Sequence, residues 1–314
     1  MSLAWVLALA LQGEPVRIER GDLAAAFRDN AESPRVLSGL ASLVNVRDAK
    51  DFGAFDPDSP GAGAGLNFEH IISGRRSPHN SFTPRRGPFT LHRLEDPRSV
   101  RLVRRKEDDP WAVSSTLTYA VAEPNAVDFE FRCTPHDASL FGTRGHASFF
   151  FANYMNDVAD PALHFRGVEA AGGPETWIAG DAPRGHADWN QGGTYRHVEA
   201  APLELDPDHN FRLNSWSYDW PRFTKPFYFG KAARDMLLLL MFDRARTEVD
   251  EVRFSLFKFK LARKPRPAWD FQYVIRKVEA GREYGFRGRL VWRKFVGPED
   301  CLKEYETWIA GLRR

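Results

Sequence analysis

Cysteine is nearly absent. Cys133 and Cys301 are the only two in 314 residues, and they stand in no metal-ligand spacing. One disulfide between them stays open, as does the redox compartment. The chain has no HExxH or CxxC motif, and its nine histidines are scattered, so a metal site has no local signature. Glycine-rich phosphate loops, GxGxxG and GxSxG are missing too. This argues against nucleotide, dinucleotide and serine-nucleophile chemistry, and no nucleotide cofactor is expected. Charge of one sign is also lacking: 44 basic against 42 acidic residues leave a net +2. That balance argues against a general nucleic-acid footprint. No apolar run is long enough to span a bilayer as a helix.

Aromatic residues and turn formers are what the chain does have. It carries 24 Phe, 9 Trp and 8 Tyr, with 43% hydrophobic and 27% charged residues. These values suit a soluble protein with a large β-type core. The start, MSLAWVLALALQGEP, reads either as the apolar region of a secretory signal or as a first β-strand. The first reading would make the protein exported. Residues 16–314 are expected to form one domain after this uncertain first stretch of fifteen.

From residue 66 onward, strand signals recur between turn residues. Leu66–Ile72, Phe89–Leu94, Val100–Arg104, Trp111–Ala122, Val127–Cys133 and Leu163–Val168 read as strands. His146–Tyr154 is nearly continuous in apolar residues and fits a strand buried on both faces. Met236–Asp243, Val252–Leu261, Trp269–Ile275 and Tyr284–Trp292 continue the series. Hairpins at this spacing predict an antiparallel sandwich or barrel. Pro298–Leu312 is different: Cys301, Leu302, Tyr305, Trp308, Ile309 and Leu312 lie at helical spacing, with Pro298 in the first turn. It predicts one amphipathic closing helix.

The stretch Asn214–Gly230, NSWSYDWPRFTKPFYFG, fits neither period and reads as an ordered aromatic loop. Aromatic surfaces suit the C–H faces of sugar rings. Trp189, Trp216, Tyr218 and Trp220 are the candidate stacking faces, with Arg222 among them. Filling the end of the core is the competing role for each ring.

Two constellations could carry chemistry. Tyr154 and His164 are proton-transfer candidates beside the anchors His70, Arg75, Arg85, Arg86 and Arg166. Proton removal next to a sugar carboxylate needs a cation on that carboxylate and a Tyr or His to move the proton. Alternatively, two of Asp157, Asp188, Asp219 and Asp270 could act on a glycosidic bond, with Asp157 and Asp219 the better placed. Surface ion pairing is the competing role for the arginines.

The succession LNFEHIISG with its Arg-rich loop, VDFEFRCTP, ASFFFANYMN, WDFQYVI and EYGFRGRLVW resembles the galactose-mutarotase-like (aldose epimerase-like) superfamily. The resemblance implies an all-β fold, a large antiparallel β-supersandwich. It also implies a carbohydrate ligand, with Arg75 where a sugar-binding arginine could stand. Where the epimerases carry a histidine motif, this chain reads Asn153-Tyr154-Met155-Asn156, and the late acidic candidates are Asp270 and Glu283. Simple aldose epimerisation is therefore not expected. Three functions remain: a lyase- or glycosidase-type enzyme on a glycoside or acidic saccharide, a non-catalytic saccharide binder, or an assembly module.

Overall fold

The computed structural model describes residues 14–31, 36–57, 64–80, 85, 87–182, 191–209, 219–260 and 266–313. In chain order the strands are β1 (Val16–Arg20), β2 (Leu23–Arg28), β3 (Gly39–Asn45), β4 (Asn67–Ser73), β5 (Thr90–Arg93) and β6 (Ser99–Arg104). Next come β7 (Val113–Ala122), β8 (Ala126–Pro135), β9 (Ala147–Ala152), β10 (Leu163–Val168), β11 (Glu175–Gly180) and β12 (Gln191–Tyr195). The series ends with β13 (Arg222–Phe223), β14 (Phe227–Lys231), β15 (Met236–Phe242), β16 (Asp250–Phe259), β17 (Arg266–Ile275) and β18 (Tyr284–Lys294). Helix α1 (Pro298–Leu312) closes the chain with the bounds the periodicity predicts.

Among the described residues, every pairing between strands is antiparallel, as the sequence implies. A ten-stranded sheet runs β11-β10-β14-β15-β18-β8-β7-β6-β5, with β13 paired to β10. A five-stranded sheet runs β12-β16-β17-β9-β4, and β1-β2-β3 form a third. The core lies between the two large sheets. Along one row of the five-stranded sheet, Phe254, Phe271, Phe151 and Phe68 face each other across β16, β17, β9 and β4. Their rings meet Phe129, Phe131, Phe242 and Phe286 of the opposite sheet. The small sheet adds Leu23, Phe27, Leu40 and Leu43 to the same cluster. Helix α1 covers the other face of the ten-stranded sheet through Cys301 and Trp308, packed with Phe227, Phe229, Leu237, Leu239 and Met241. This explains why β15, MLLLLMF, is buried throughout: it has apolar cover on both faces.

Both cysteines are buried free thiols. Among the described residues, no helix is long and apolar enough to cross a membrane. Two readings need correction. The region 172–197 contains strands β11 and β12, which its polar composition and Gly content concealed. The described part of the aromatic stretch, residues 219–230, is also not all loop, since it holds β13 and β14. Pro221 and Pro226 each sit just before a strand, where no ladder amide is needed. Phe223, Phe227, Tyr228 and Phe229 are accordingly core residues.

Candidate active site

In β4 the register against β9 shifts between Phe68, opposite Phe151, and His70, opposite Phe150. Glu69 is the extra residue of this bulge. A bulge re-aims side chains that strict alternation would send elsewhere. The backbone carbonyl of Glu69 accepts from the Arg85 amide at 2.7 Å, which seats Arg85 along this edge strand.

Tyr154 follows β9 and bridges to Ala268. The preceding Asn153 fixes its position. The Asn153 amide donates to Asp270 Oδ1, its side-chain nitrogen donates to the Trp269 carbonyl, and its side-chain oxygen accepts from Leu66, each at 2.8 Å. Three hydrogen bonds on one buried residue, two of them through its side chain, leave Tyr154 little freedom.

Glu69, Tyr154 and Arg85 converge there. The Tyr154 hydroxyl donates to Glu69 Oε1. Arg85 Nη1 donates to the same oxygen at 2.5 Å and to the Tyr154 hydroxyl oxygen at 3.2 Å. The Arg85 guanidinium also lies over the Tyr154 ring, 5.8 Å from its centroid. Glu69 is buried, whereas Tyr154 is partly accessible. Burial pushes the Glu69 carboxyl above its ordinary range, against the opposing pull of Arg85 and Tyr154. Burial also pushes the Tyr154 phenol up, and the Glu69 charge adds to this. Asp270 is raised as well, by burial first and by Glu69 in a smaller part. His70 stacks flat on Phe150 at 4.7 Å, with Nδ1 at 3.4 Å from Glu69 Oε2. Burial, then Arg85, lowers its pKa to about 3, so the ring is neutral.

These groups border the face of the five-stranded sheet that points away from the phenylalanine core. One row of that face reads Arg253, Gln272, Phe150 and His70 across four strands. The next holds Thr194, Ser255 and Asp270. A sheet face this polar and this buried is costly unless its groups find partners.

Solved structures similar to this chain include a putative aldose 1-epimerase from Escherichia coli, with 9% identity and TM-score 0.47, covering 90% of this chain and 99% of that one. A galactose mutarotase related enzyme from Lactobacillus acidophilus has 8% identity and TM-score 0.49, covering 89% and 97%. A mutant heparan sulfate lyase from Pedobacter heparinus has 7% identity and TM-score 0.47, covering 90% of this chain but 35% of that one. No family model matches the chain. No curated protein matches it either. The likeness is one of chain path, and the site rests on its own geometry.

The remaining candidates fall elsewhere or at the margin. His164 and Arg166 lie on β10 of the ten-stranded sheet. His164 stacks on Phe229 at 4.9 Å and contacts Asp160 at 2.9 Å. Arg166 pairs with Glu175 at 3.1 Å and covers Trp177 at 5.4 Å, beside α1. Neither contact brings them to Tyr154. Arg75 packs against Gly142, and its carbonyl accepts from Asn80 at 2.7 Å. Asp157 sits beside β14, where its carbonyl accepts from Ala233 at 3.0 Å. Asp219 is exposed and accepts from Arg196 at 2.8 Å, while Arg222 stacks over Trp220 at 4.4 Å. Arg196 immediately follows β12, so this group borders the far strand of the five-stranded sheet. Arg86, Asp188, Trp189, Trp216 and Tyr218 lie outside the described residues, as does the first apolar run. Among the described residues, no cluster of three or more metal-ligating side chains occurs.

Glu69, Arg253 and Gln272 were missed by motif reasoning. A signal for Glu69 was present: in LNFEHII two adjacent polar residues break the alternation, the mark of a bulge.

Proposed function

We propose that the chain is a carbohydrate-active enzyme of the proton-abstracting, lyase-like kind, working at the polar face of the five-stranded sheet. The contact between the Tyr154 hydroxyl and the buried Glu69 carboxylate carries this reading. A phenol alone is a poor base here, because burial holds its proton. Coupled to Glu69 it becomes a relay. The hydroxyl oxygen takes a proton from the sugar while its own proton passes to Glu69. The raised affinity of Glu69 for a proton suits that acceptor role. Arg85 keeps the pair oriented and offsets negative charge on either oxygen. The electron pair of the broken C–H bond forms the ring double bond and expels the glycosidic oxygen, which takes the proton back from Glu69 through the Tyr154 hydroxyl and so restores the site.

His70 and Phe150 form a flat wall next to the relay. Neutral His70 stacks there without adding charge. Asp270 supports Asn153, and through it the backbone that presents Tyr154.

A panel of uronic-acid polysaccharides and glycosides tests this reading. Unsaturated-product absorbance that disappears in Tyr154→Phe is the expected result. New reducing ends without unsaturation would replace the lyase assignment by hydrolysis. Saccharide binding without turnover across the panel would leave a binding protein.

A further inference from the structure

We propose that Arg253 and Gln272 form an oxyanion subsite on the same sheet face, one that takes the carboxylate of an acidic saccharide. The inference rests on the carbohydrate reading above for the sugar, but not for the anion. Arg253 and Gln272 are paired directly across β16 and β17, and both are fully buried. Directly opposed side chains on one sheet face are near neighbours, about 4.5–5.5 Å apart at Cβ.

Every other polar atom of the pair has a role. Arg253 Nε donates to Glu251 at 2.6 Å, and its Nη2 donates to the Ala201 carbonyl at 2.8 Å. Gln272 Oε1 accepts from the Ser148 hydroxyl at 3.0 Å, which fixes the amide. That leaves Arg253 Nη1 and Gln272 Nε2, two buried donors without a partner among the described residues. Native proteins satisfy buried donors of this kind, and a bound acceptor is one way to do so.

The charge balance points to an anion. Glu251 Oε1 holds Arg253, while Glu251 Oε2 accepts from Arg276 at 2.6 Å. Two guanidinium groups thus share one carboxylate, leaving one positive charge over. Two N–H donors on directly opposed residues, one of them charged, suit the two oxygens of a carboxylate. In the row across the sheet, Gln272 is followed by Phe150 and then His70, so the subsite lies along one face with the relay.

The test uses acetate, glucose, glucuronate, glucose 6-phosphate and a sulfated glucose, each titrated into the wild-type protein and into Gln272→Glu and Gln272→Met. Gln272→Glu keeps the acceptor for Ser148 but sets a carboxylate beside Arg253. Gln272→Met removes the donor without charge. The wild type is expected to bind glucuronate at least tenfold more tightly than glucose, and both variants to lose that margin while melting cooperatively. Equal binding of glucose and glucuronate, no binding of either acetate or glucuronate, or unchanged glucuronate binding in both variants overturns the proposal. Preference for the sulfated or phosphorylated sugar overturns the carboxylate assignment. Acetate binding that is lost in Gln272→Glu, with no turnover of any saccharide, upholds the subsite and removes the enzymatic reading instead.

Discussion

The hydroxyl of Tyr154 donates its proton to a carboxylate, Glu69, that lies 85 residues earlier in the chain. Two features produce this contact. The bulge turns Glu69 out of its strand's alternation, and the Asn153 anchors hold Tyr154 at the end of β9. Removing either end of the relay should therefore cost activity and leave the fold intact. Tyr154→Phe and Glu69→Gln are each expected to lower kcat by about 10²–10⁴-fold, the usual worth of a positioned acid–base group. Because the two act as one unit, the double variant should fall little further than either single one. Additive losses in a double-mutant cycle would separate their roles.

Stability should respond to pH in two opposed ways. Glu69 and Asp270 are both raised by burial. Groups raised in the folded state add stability that is fully present below their unfolded pKa, and it is lost as pH rises through the folded value. His70 is lowered from 6.5 to about 3, so its contribution is present above 6.5 and lost as pH falls toward 3. That acid loss is on the order of a few kcal/mol. Denaturant titrations of His70→Gln between those limits should show a flatter acid limb than wild type. An unchanged slope would mean that His70 is solvated in the folded protein.

The fold was easier to read than the site because the two depend on different information. Strands such as Trp111–Ala122 announce themselves through local alternation, and α1 through Pro298 and its apolar spacing. Strand β12, QGGTY, carries no such signal. It becomes a strand by pairing with the strongly patterned β16. Tyr154, His70 and Arg85 were visible as chemistry-bearing residues, but nothing local joined them to Glu69 or kept His164 and Arg166 away. Those relations follow from which sheet each strand enters. Arg253 and Gln272 looked like ordinary polar positions of alternating strands. Their burial became visible only once the apolar row Phe254–Phe271–Phe151–Phe68 had claimed the opposite face.

The core should be least tolerant at Phe151. Its ring stacks on Phe271 at 4.7 Å and on Phe68 at 5.3 Å, and meets Phe131 and Phe286 edge-on at 5.0 and 5.7 Å. It is therefore enclosed by both large sheets, with little room for collapse if it is removed. Phe151→Ala should destabilise by about 3–5 kcal/mol in equilibrium denaturation. A loss below ~1 kcal/mol would show that the sheets close over the gap.

Gly230→Ala should link stability to the site. A Cβ at residue 230 would stand 2.5 Å from ring atoms of Trp269. Trp269 is fully buried, and its indole donates to the Pro161 carbonyl at 3.0 Å. The Trp269 carbonyl accepts from the side chain of Asn153 at 2.8 Å and from Tyr228 at 3.1 Å. An added methyl group must therefore push on the residue that anchors the Tyr154 segment. Overpacking of this kind costs about 1–3 kcal/mol. Phe151→Leu, chosen to lose similar stability on the core side, supplies the comparison. Gly230→Ala should lose more kcat than Phe151→Leu at equal stability. Equal kcat in the two variants would mean that Trp269 yields without moving Asn153.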